Sequence, residues 1–316
     1  MKNLSFVLFL IVLVGCSSNL NKVEKSKDLM NTTFIITVYD NDQQKAEAAI
    51  QSAFDEISRI ESLLSPTIET SEVNILNRNG QIENYSDDLF LNMQKSLYYS
   101  NISDGAFDIT VQPILDLYTM AFSTLKRPPT DAEIKDEQKK VNYKNIEFSR
   151  DKIKLKQGMK ITLGGIAKGY GVERAAEVLE QNGVTHALIN TKSSIRAVGV
   201  KDDIDWSVAL QNPRDPSEYV TLIRLDNNSI STSGDYERYF DDNFKFHHIV
   251  NPKTGYSAGE LISVTIVTGN SFDADALSTA VFVLGRQKGM ELIEKLGVKG
   301  LIITKDKEII RSGGFD

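Results

Sequence analysis

The feature that most constrains the fold is a long amphipathic pattern near the start of the chain. From Gln43 to Leu64, apolar residues recur at spacings of three and four, which places them on one face of an α-helix. The segment before it, residues 32–38, is rich in β-branched side chains and is typical of a strand. Helical and strand patterns continue to alternate towards the C terminus. The sequence therefore predicts a mixed α+β (α/β) fold, a single large domain with mixed sheets flanked by helices.

Further elements follow from the same two kinds of pattern. Helices are predicted at residues 88–100, 131–140, 168–181, 274–284 and 287–296. Strands are predicted at residues 146–148, 152–156, 161–163, 187–190, 195–200, 206–210, 220–225, 247–250, 261–268, 300–304 and 308–311. Residues 107–111 fit either a strand or the start of a helix, and the pattern does not decide between them.

The first residues have the pattern of an export signal. A basic residue, Lys2, precedes an apolar run at residues 4–14 that is too short to span a bilayer. Gly15 stands directly before Cys16, which is the single cysteine of the chain. This arrangement predicts a lipoprotein signal at residues 1–15, cut before a lipidated Cys16. The alternative is an ordinary secretory signal that happens to contain a cysteine.

The lipoprotein interpretation divides the chain into three parts. Residues 16–29 are predicted to be the lipidated cysteine and a polar tether, and residues 30–316 the folded domain. We expect the protein to be exported and anchored to the membrane through Cys16, either on the outer face of the cytoplasmic membrane or on the periplasmic side of a cell-envelope membrane. With one cysteine, the domain forms no internal disulfide.

Composition excludes two classes of function. The formal net charge of −7 argues against non-specific nucleic-acid binding, which needs a basic surface. Three histidines and one cysteine supply too few ligands for a typical zinc site. The acidic balance says little about small anionic ligands, since a bound metal ion offsets charge locally.

A glycine-rich run at residues 164–171 is the first candidate for a ligand site. It is neither a Walker A loop nor the dinucleotide fingerprint G-x-G-x-x-G. When a strand is followed by glycines and then by a helix, free backbone N–H groups and the positive helix end lie close together. This arrangement favours the binding of phosphate. The alternative is a tight turn without a ligand.

The second candidate is Asp275 with Thr279. An acid and a hydroxyl at i and i+4 lie on one face of a helix. Mg²⁺ suits such a pair, because it takes few protein oxygens and leaves its other positions to water and phosphate. The alternatives are that Asp275 serves the helix dipole, that Asp273 takes the role instead, or that Thr279 bonds its own backbone.

Two neighbouring segments offer further candidates. His247 and His248 would point to opposite faces of a strand, so at most one of them enters a given site. His248 is a possible general base, and a structural histidine is the alternative. Residues 233–240 mix charge with aromatics, which fits either a hairpin edge or a wall of the site fixed by Asp235 or Arg238.

Seven short segments occur in an order that resembles the ApbE family of flavin transferases. None is specific alone, but the ordered set is, and it spans nearly the whole chain after residue 29. The segments begin at Met30, Leu64, Asp104, Leu163, Ser233, His248 and Asp275. The resemblance implies the ApbE-like fold, and the leader is similar to that of many family members.

The resemblance also implies a reaction. FMN moves from FAD, the substrate, to a Thr or Ser hydroxyl of an acceptor flavoprotein, Mg²⁺ assists, and AMP leaves. The implied Mg²⁺ ligands are the Asp275 carboxylate, the Thr279 hydroxyl and the Gly165 carbonyl. Contacts to FAD are implied at Met30, Thr67, Ala106, Phe107, Asp108, Thr162, Lys168 and Ile249. Asp275 and His248 are the candidate catalytic residues, with His248 aiding deprotonation of the incoming hydroxyl.

The chain departs from the family pattern at four places. Asn31 replaces a glycine, Thr67 stands where a flavin-stacking tyrosine is usual, and Thr162 stands where an acid is common. Residues 190–194, Asn-Thr-Lys-Ser-Ser, replace Asn-x-Gly-Gly-Asp and put side chains where backbone approaches closely. Ser193 and Ser194 are possible polar contacts there.

Three other functions remain open at this point. One is hydrolysis of FAD to FMN and AMP at the same site, with water as the attacking group. Another is an FAD-binding lipoprotein without turnover, which the change at residues 190–194 would favour. A solute-binding lipoprotein fits the leader but leaves Asp275, Thr279 and the glycine run unexplained.

Overall fold

The computed structural model describes residues 20–200 and 204–315, which form one α+β domain. The strands are β1 (Asn21–Leu29), β2 (Thr32–Asp40), β3 (Gln81–Glu83), β4 (Glu147–Phe148), β5 (Lys152–Lys154), β6 (Ala187–Asn190), β7 (Ser194–Val198), β8 (Trp206–Asn212), β9 (Asp215–Leu225), β10 (Ser229–Gly234), β11 (Leu261–Thr268), β12 (Lys299–Thr304) and β13 (Ile309–Arg311). The helices are α1 (Gln43–Leu64), α2 (Glu72–Asn79), α3 (Asp87–Ile102), α4 (Gln112–Ser123), α5 (Asp131–Gln138), α6 (Ala167–Gln181) and α7 (Ser271–Leu296). Across these two ranges, no helix has the length and apolar character needed to cross a membrane.

An eight-stranded sheet organises the domain. Its strand order is β1-β2-β6-β7-β10-β11-β12-β13, and each neighbouring pair is antiparallel. A three-stranded sheet, β3-β5-β4, and the hairpin β8–β9 complete the strand content of the described ranges. The predicted fold class, helices flanking sheets in a single domain, is confirmed.

Helices α1 and α6 cover the β1-β2-β6 part of the large sheet. The predicted bounds of α1 are those observed, and Asp42 caps its first turn by accepting a hydrogen bond from the Lys45 N–H. The apolar stripe of α1 is fully buried against Phe34 and Ile36 of β2 and against the apolar face of α6. Burial of this kind stabilises the helix more than its intrinsic propensity does.

Helix α7 covers the other part of the large sheet, where β10 and β11 lie. Two helices were predicted here, and the structure agrees: the helical backbone of α7 is interrupted at Gly285, whose φ of 78° and ψ of −172° are not helical. The first half of α7 is buried almost throughout, which places the predicted metal-binding residues at the interface between helix and sheet.

The predicted polar tether is wrong in part, because Asn21–Leu29 is a strand. It pairs residue by residue with β2 along one edge of the large sheet. Val23 and Leu29 are its buried residues, and the others are exposed. A strand with so little apolar alternation gives no sequence signal, because its stability comes from backbone pairing with β2. The fold therefore begins nine residues earlier than predicted, at Asn21. The predicted signal and Cys16 lie outside the described residues.

Two predicted short strands are also wrong. Residues 161–163 are not paired with a strand. Instead, the Asn77 side-chain amide forms hydrogen bonds with both the N–H and the carbonyl of Ile161. Residues 247–250 form isolated bridges in a loop. The undecided segment at 107–111 is a short 3₁₀ turn, Ile109–Val111, that leads into α4.

Candidate active site

Most of the predicted site residues line one cavity of about 310 Å³ between α6, α7 and the loop after β10. They are Ala106, Phe107, Asp108, Thr162, Gly165, Lys168, His248, Ile249, Asp275 and Thr279. Met30 lines a smaller cavity of about 90 Å³, which shares Asn31, Thr162, Gly164, Lys168 and Arg238 with the larger one.

Thr67 is the predicted contact that lines neither cavity. It lies exposed in the loop after α1, where its hydroxyl is 2.9 Å from that of Ser65. Its neighbours Ser65 and Pro66 do line the smaller cavity. The loop therefore borders the site, although the Thr67 hydroxyl contacts the Ser65 side chain.

The Asp275 carboxylate is held at the N-terminal end of α6. Asp275 is 3% exposed, and its Oδ2 accepts a hydrogen bond of 2.9 Å from the Gly169 N–H. Its Oδ1 accepts a hydrogen bond of 3.3 Å from the Ser231 hydroxyl and lies 3.6 Å from the Lys168 Nζ. The positive end of α6 and the lysine ammonium therefore both lie beside this carboxylate.

Gly169 permits this geometry. A Cβ at this position would lie 2.2 Å from the carbonyl oxygen of Ser271 and 2.6 Å from the Asp275 Cβ. No other residue type would let α6 and α7 approach so closely. The glycine run thus has a second function, which is to allow close contact between α6 and α7. This function was not evident from the sequence.

Thr279 and Gly165 lie beside the carboxylate. The Thr279 Oγ1 is 3.3 Å from the Ser233 hydroxyl, and a Cβ added to Gly165 would lie 3.2 Å from the same Oγ1. Backbone at Gly165 therefore packs directly on the threonine. A carboxylate, a hydroxyl and a backbone carbonyl are the hard oxygen donors that Mg²⁺ takes, and they leave positions for water and phosphate.

Asp273, the alternative to Asp275, points elsewhere. Its Oδ1 is 2.6 Å from the Lys95 Nζ, and its Oδ2 accepts a hydrogen bond from the Asn270 side-chain amide. No group of three or more His, Cys, Asp or Glu residues is arranged for a metal ion within 20–200 and 204–315. Among the predicted ligands Gly165, Asp275 and Thr279, Asp275 supplies the one carboxylate. The part of the cavity lining formed by Gly165, Lys168, Asp275 and Thr279 is named the helix wall.

A second part of the cavity lining is the loop wall, formed by Gly234, Arg238 and His248. His248 Nδ1 is 3.1 Å from the Arg238 carbonyl oxygen. Desolvation, and next the Arg238 cation, lower the pKa of His248 to about 3. The imidazole is therefore neutral near pH 7. Because a carbonyl accepts only, Nδ1 carries the proton, and Nε2 has a free lone pair.

His247 has a structural role. It is 1% exposed, and burial lowers its pKa. Its Nε2 donates to the Ala258 carbonyl at 3.0 Å, and its Nδ1 accepts from the Ile249 N–H at 3.3 Å. One histidine of the pair thus enters the cavity, as predicted, and the other holds the loop that carries it.

Asp235 fixes the loop wall, which is one of the two roles predicted for this segment. It is fully buried, and its carboxylate accepts from Arg214 at 2.9 and 2.6 Å and from Lys305 at 2.5 Å. The Arg238 side chain, by contrast, is exposed and forms no hydrogen bond or ion pair with another described residue. Its guanidinium is available to an anion in the cavity.

Gly234 adds a backbone donor that sequence reasoning missed. Asp235 N–H bonds to Ile262 of β11, and Thr232 N–H bonds to Ser193 on the opposite side. Alternate residues of an antiparallel strand bond to opposite neighbours, so the Gly234 N–H faces the Ser193 side. Pairing between β10 and β7 ends at Ser194. The Gly234 N–H lies beyond this last pair, where β7 offers it no partner, and Gly234 lines the cavity.

The turn at residues 190–194, which departs from the family pattern, is held by hydrogen bonds within it. The Thr191 hydroxyl bonds both the carbonyl and the N–H of Ser194, and Lys192 adopts a φ of 69°. Ser193 lines the cavity, whereas Ser194 is buried against the Ser231 hydroxyl at 3.1 Å. One of the two predicted polar contacts therefore reaches the site.

Asp108 and Asn31 also line the cavity. Asp108 Oδ1 accepts from the N–H and hydroxyl of Thr110, and its Oδ2 accepts from the Tyr143 N–H. Its carboxylate is thus committed to the protein, and burial raises its pKa. Asn31 has a φ of 59°, the conformation for which glycine or asparagine is suited.

Comparison with known proteins gives consistent results. The ApbE family model matches residues 30–302. The FAD:protein FMN transferase of Haemophilus influenzae is 30% identical over 319 residues, covering 95% of this chain and 91% of the relative. The crystal structure of the ApbE protein from Thermotoga maritima has a TM-score of 0.85 at 31% identity and covers 93% of this chain and 97% of that one.

The fold is also that of the flavin transferase ApbE from Vibrio cholerae. The TM-score is 0.81 at 24% identity, with 94% of this chain and 98% of that chain covered. These matches confirm the resemblance seen in the ordered segments. The chain belongs to the ApbE family.

Proposed function

We propose that the protein is a flavin transferase that moves FMN from FAD onto a Thr or Ser hydroxyl of an acceptor protein and releases AMP. The observation that carries the proposal is that Asp275, Thr279, Gly165 and His248 meet at one cavity. Residues that carry three oxygens suited to a cation thus line the same cavity as a neutral imidazole. Family membership supports the same chemistry.

The helix wall would hold Mg²⁺ through the Asp275 carboxylate, the Thr279 hydroxyl and the Gly165 carbonyl. Bound there, Mg²⁺ supplies charge neutralisation and Lewis acidity to the FAD diphosphate. Lys168, at 3.6 Å from Asp275, adds a second positive charge on the same side. The oxygen donors fit because Asp275 is buried and keeps few protein partners for its Oδ1.

The loop wall supplies hydrogen-bond donors for the FAD diphosphate. The Arg238 guanidinium and the Gly234 N–H are donors without a described partner, and both lie at the cavity. Donors fixed before the substrate arrives stabilise developing charge without reorganisation. We assign them to the phosphate oxygens of the bound dinucleotide.

His248 takes the proton of the incoming hydroxyl at Nε2. The acceptor oxygen forms a bond to the FMN-side phosphorus, and the bond from that phosphorus to the bridging oxygen breaks. The bridging oxygen leaves on AMP with its electron pair. A neutral imidazole whose second nitrogen is fixed by a carbonyl is arranged for this task.

The low pKa of His248 keeps the imidazole unprotonated in the free protein, but it also makes the ring a weak base. Besides desolvation, the lowering comes from the cations of Arg238 and Lys168. A bound diphosphate offsets both cations, so FAD raises the basicity of the imidazole just where proton transfer is needed.

A direct test uses the full-length protein with FAD, Mg²⁺ and a panel of flavin-free extracytoplasmic protein domains. The expected products are AMP and a fluorescent protein band that survives denaturation. AMP without a labelled band would show hydrolysis of FAD instead. FAD binding measured by calorimetry, with neither product formed, would show a binding protein.

We also propose that the protein acts on the outer side of a membrane, anchored through lipid on Cys16. The support is the apolar run that ends at the single cysteine. Metabolic labelling with a fatty acid tests this, and loss of the label in Cys16→Ser is the expected result. Equal labelling of that variant would contradict the anchor.

A further inference from the structure

The first strand connects two opposite ends of the domain. In the β1–β2 hairpin, Asn21 pairs with Asp40 at one end, and Leu29 pairs with Thr32 at the other. Near Asn21, the Lys45 Nζ lies 2.9 Å from Asp40 and 2.8 Å from the Gly183 carbonyl. The N-terminal end of α1 and the C-terminal end of α6 therefore lie at the Asn21 end.

The active-site cavity lies at the other end of the same elements. Met30 and Asn31 form the turn after β1, and both line the cavities. The last residue of α1, Leu64, and the first residue of α6, Ala167, line the smaller cavity as well. The hairpin and both helices thus run from the Asn21 end to the cavity.

This part of the domain is rigid. Its core side chains on β2, α1 and α6 are fully buried in a single cluster. β1 has nine residues, which at about 3.3 Å per residue separate its ends by about 26 Å. The distance cannot change without breaking the hairpin.

The path from the proposed anchor to the cavity is consequently short. Cys16 and Asn21 are five residues apart in the sequence. Fully extended, that link reaches about 17 Å, so the cavity edge at Asn31 can stand no more than about 45 Å from the lipid. Tilting the domain lowers this height and never raises it, because the limit is the length of the path.

We infer that the anchor selects acceptors by height: the partner is a protein that presents its target Thr or Ser within roughly 5 nm of the same membrane surface. The inference rests on the proposed function and on the lipid at Cys16. A target held higher by a stiff partner cannot enter the cavity, however well its sequence fits. Effective concentration falls to near zero when a linker cannot span two sites.

The test reconstitutes the full-length lipidated protein in vesicles with one acceptor domain on two rigid spacers. Each spacer continues a transmembrane helix, and the two heights are about 30 Å and about 120 Å, or roughly 20 and 80 helical residues. We expect covalent flavin on the short acceptor and at least about tenfold less on the tall one. Equal labelling of both acceptors would overturn the inference.

Lengthening the link supplies the matched variant. About 60 Gly/Ser residues inserted after Ser18 extend the reach beyond ~100 Å and should restore labelling of the tall acceptor. The same insertion between Asp306 and Lys307, in the exposed turn of the β12–β13 hairpin, should not. Restoration by both insertions, or by neither, would contradict the height limit.

A detergent experiment separates this inference from the proposed function. In micelles the full-length protein and both acceptors mix freely, so both should be labelled equally. Loss of labelling in detergent would overturn flavin transfer itself, and the height limit with it. Labelling in detergent together with height-independent labelling in vesicles would overturn the height limit alone.

Discussion

The two walls of the cavity are built in different ways. On the helix wall, Asp275 is fixed by close contact of two helices, and its carboxylate already has protein partners. On the loop wall, a buried ion cluster around Asp235 holds the backbone, and Arg238 extends into the site without a described partner. The helix wall therefore fixes the position of the Asp275 carboxylate before substrate binds. The loop wall supplies a side chain, Arg238, that is available to the substrate.

The largest expected effect comes from the helix wall. Asp275→Asn removes the single carboxylate of the proposed Mg²⁺ site, so we expect flavin transfer to fall by about 10³-fold or more. Mg²⁺-dependent AMP release measures it. Asp273→Asn, in the same helix but paired with Lys95, is the matched control and should keep most activity. Equal losses in the two variants would show that the helix, and not the metal ligand, matters.

The loop wall should show a smaller catalytic effect. His248→Ala removes the proposed general base, and we expect kcat to fall by about 10²-fold while Mg²⁺ affinity is unchanged. His186→Ala, at the far end of the domain, is the control with near-normal activity. A His248→Ala enzyme that labels its acceptor at the normal rate would remove this residue from the mechanism.

The same histidine predicts a pH dependence. Its pKa is lowered from 6.5 to about 3, so the unfolded chain takes up the proton first as pH falls. The stability that it contributes is present above pH 6.5 and is lost as pH falls from there towards 3. We expect Tm to drop less between pH 7 and pH 5 in His248→Gln than in the natural protein. An unchanged drop would place His248 in a normal aqueous environment.

The next largest effect is expected on removal of Asp235, which holds the loop wall in place. Asp235→Asn removes the charge that two cations share, and we expect the free energy of unfolding to fall by about 2 kcal/mol. The figure is modest because Arg214 and Lys305 are partly exposed and can turn to water. Denaturant unfolding measures the loss. Activity should fall with it, since the loop carries His248.

The smallest expected effect concerns the turn at residues 190–194. Lys192 holds a left-handed backbone conformation that costs a non-glycine residue about 1 kcal/mol. Lys192→Gly should therefore raise the free energy of unfolding by up to about 1 kcal/mol. If FAD affinity is unchanged in the variant, the lysine side chain has no part in binding. A large loss of affinity would instead assign it a contact to the dinucleotide.

The sequence predicted the helix wall better than the loop wall, for a physical reason. Asp275 and Thr279 are one helical turn apart, and such local spacing is visible in a single segment. The partners of Asp235 are Arg214 and Lys305, which lie 21 and 70 residues away. No local pattern encodes such pairs.

Strand β1 was missed for a related reason. Its residues are mostly exposed, and pairing with β2 determines its conformation. The free N–H of Gly234 likewise depends on where β7 ends, which is a property of the assembled sheet. Nearly all the contacts implied by the ordered segments, by contrast, do line one of the two cavities, with Thr67 as the exception.

The bond from His248 to the Arg238 carbonyl has a consequence for turnover. With Nδ1 committed to that carbonyl, the ring has no relay path through its second nitrogen. A proton that arrives at Nε2 must leave from Nε2, on the face where it entered. In the proposed reaction the phosphate of the departing nucleotide gains negative charge, so it can accept this proton. Product release and recovery of the base would then be a single event, and AMP would carry the proton out of the site.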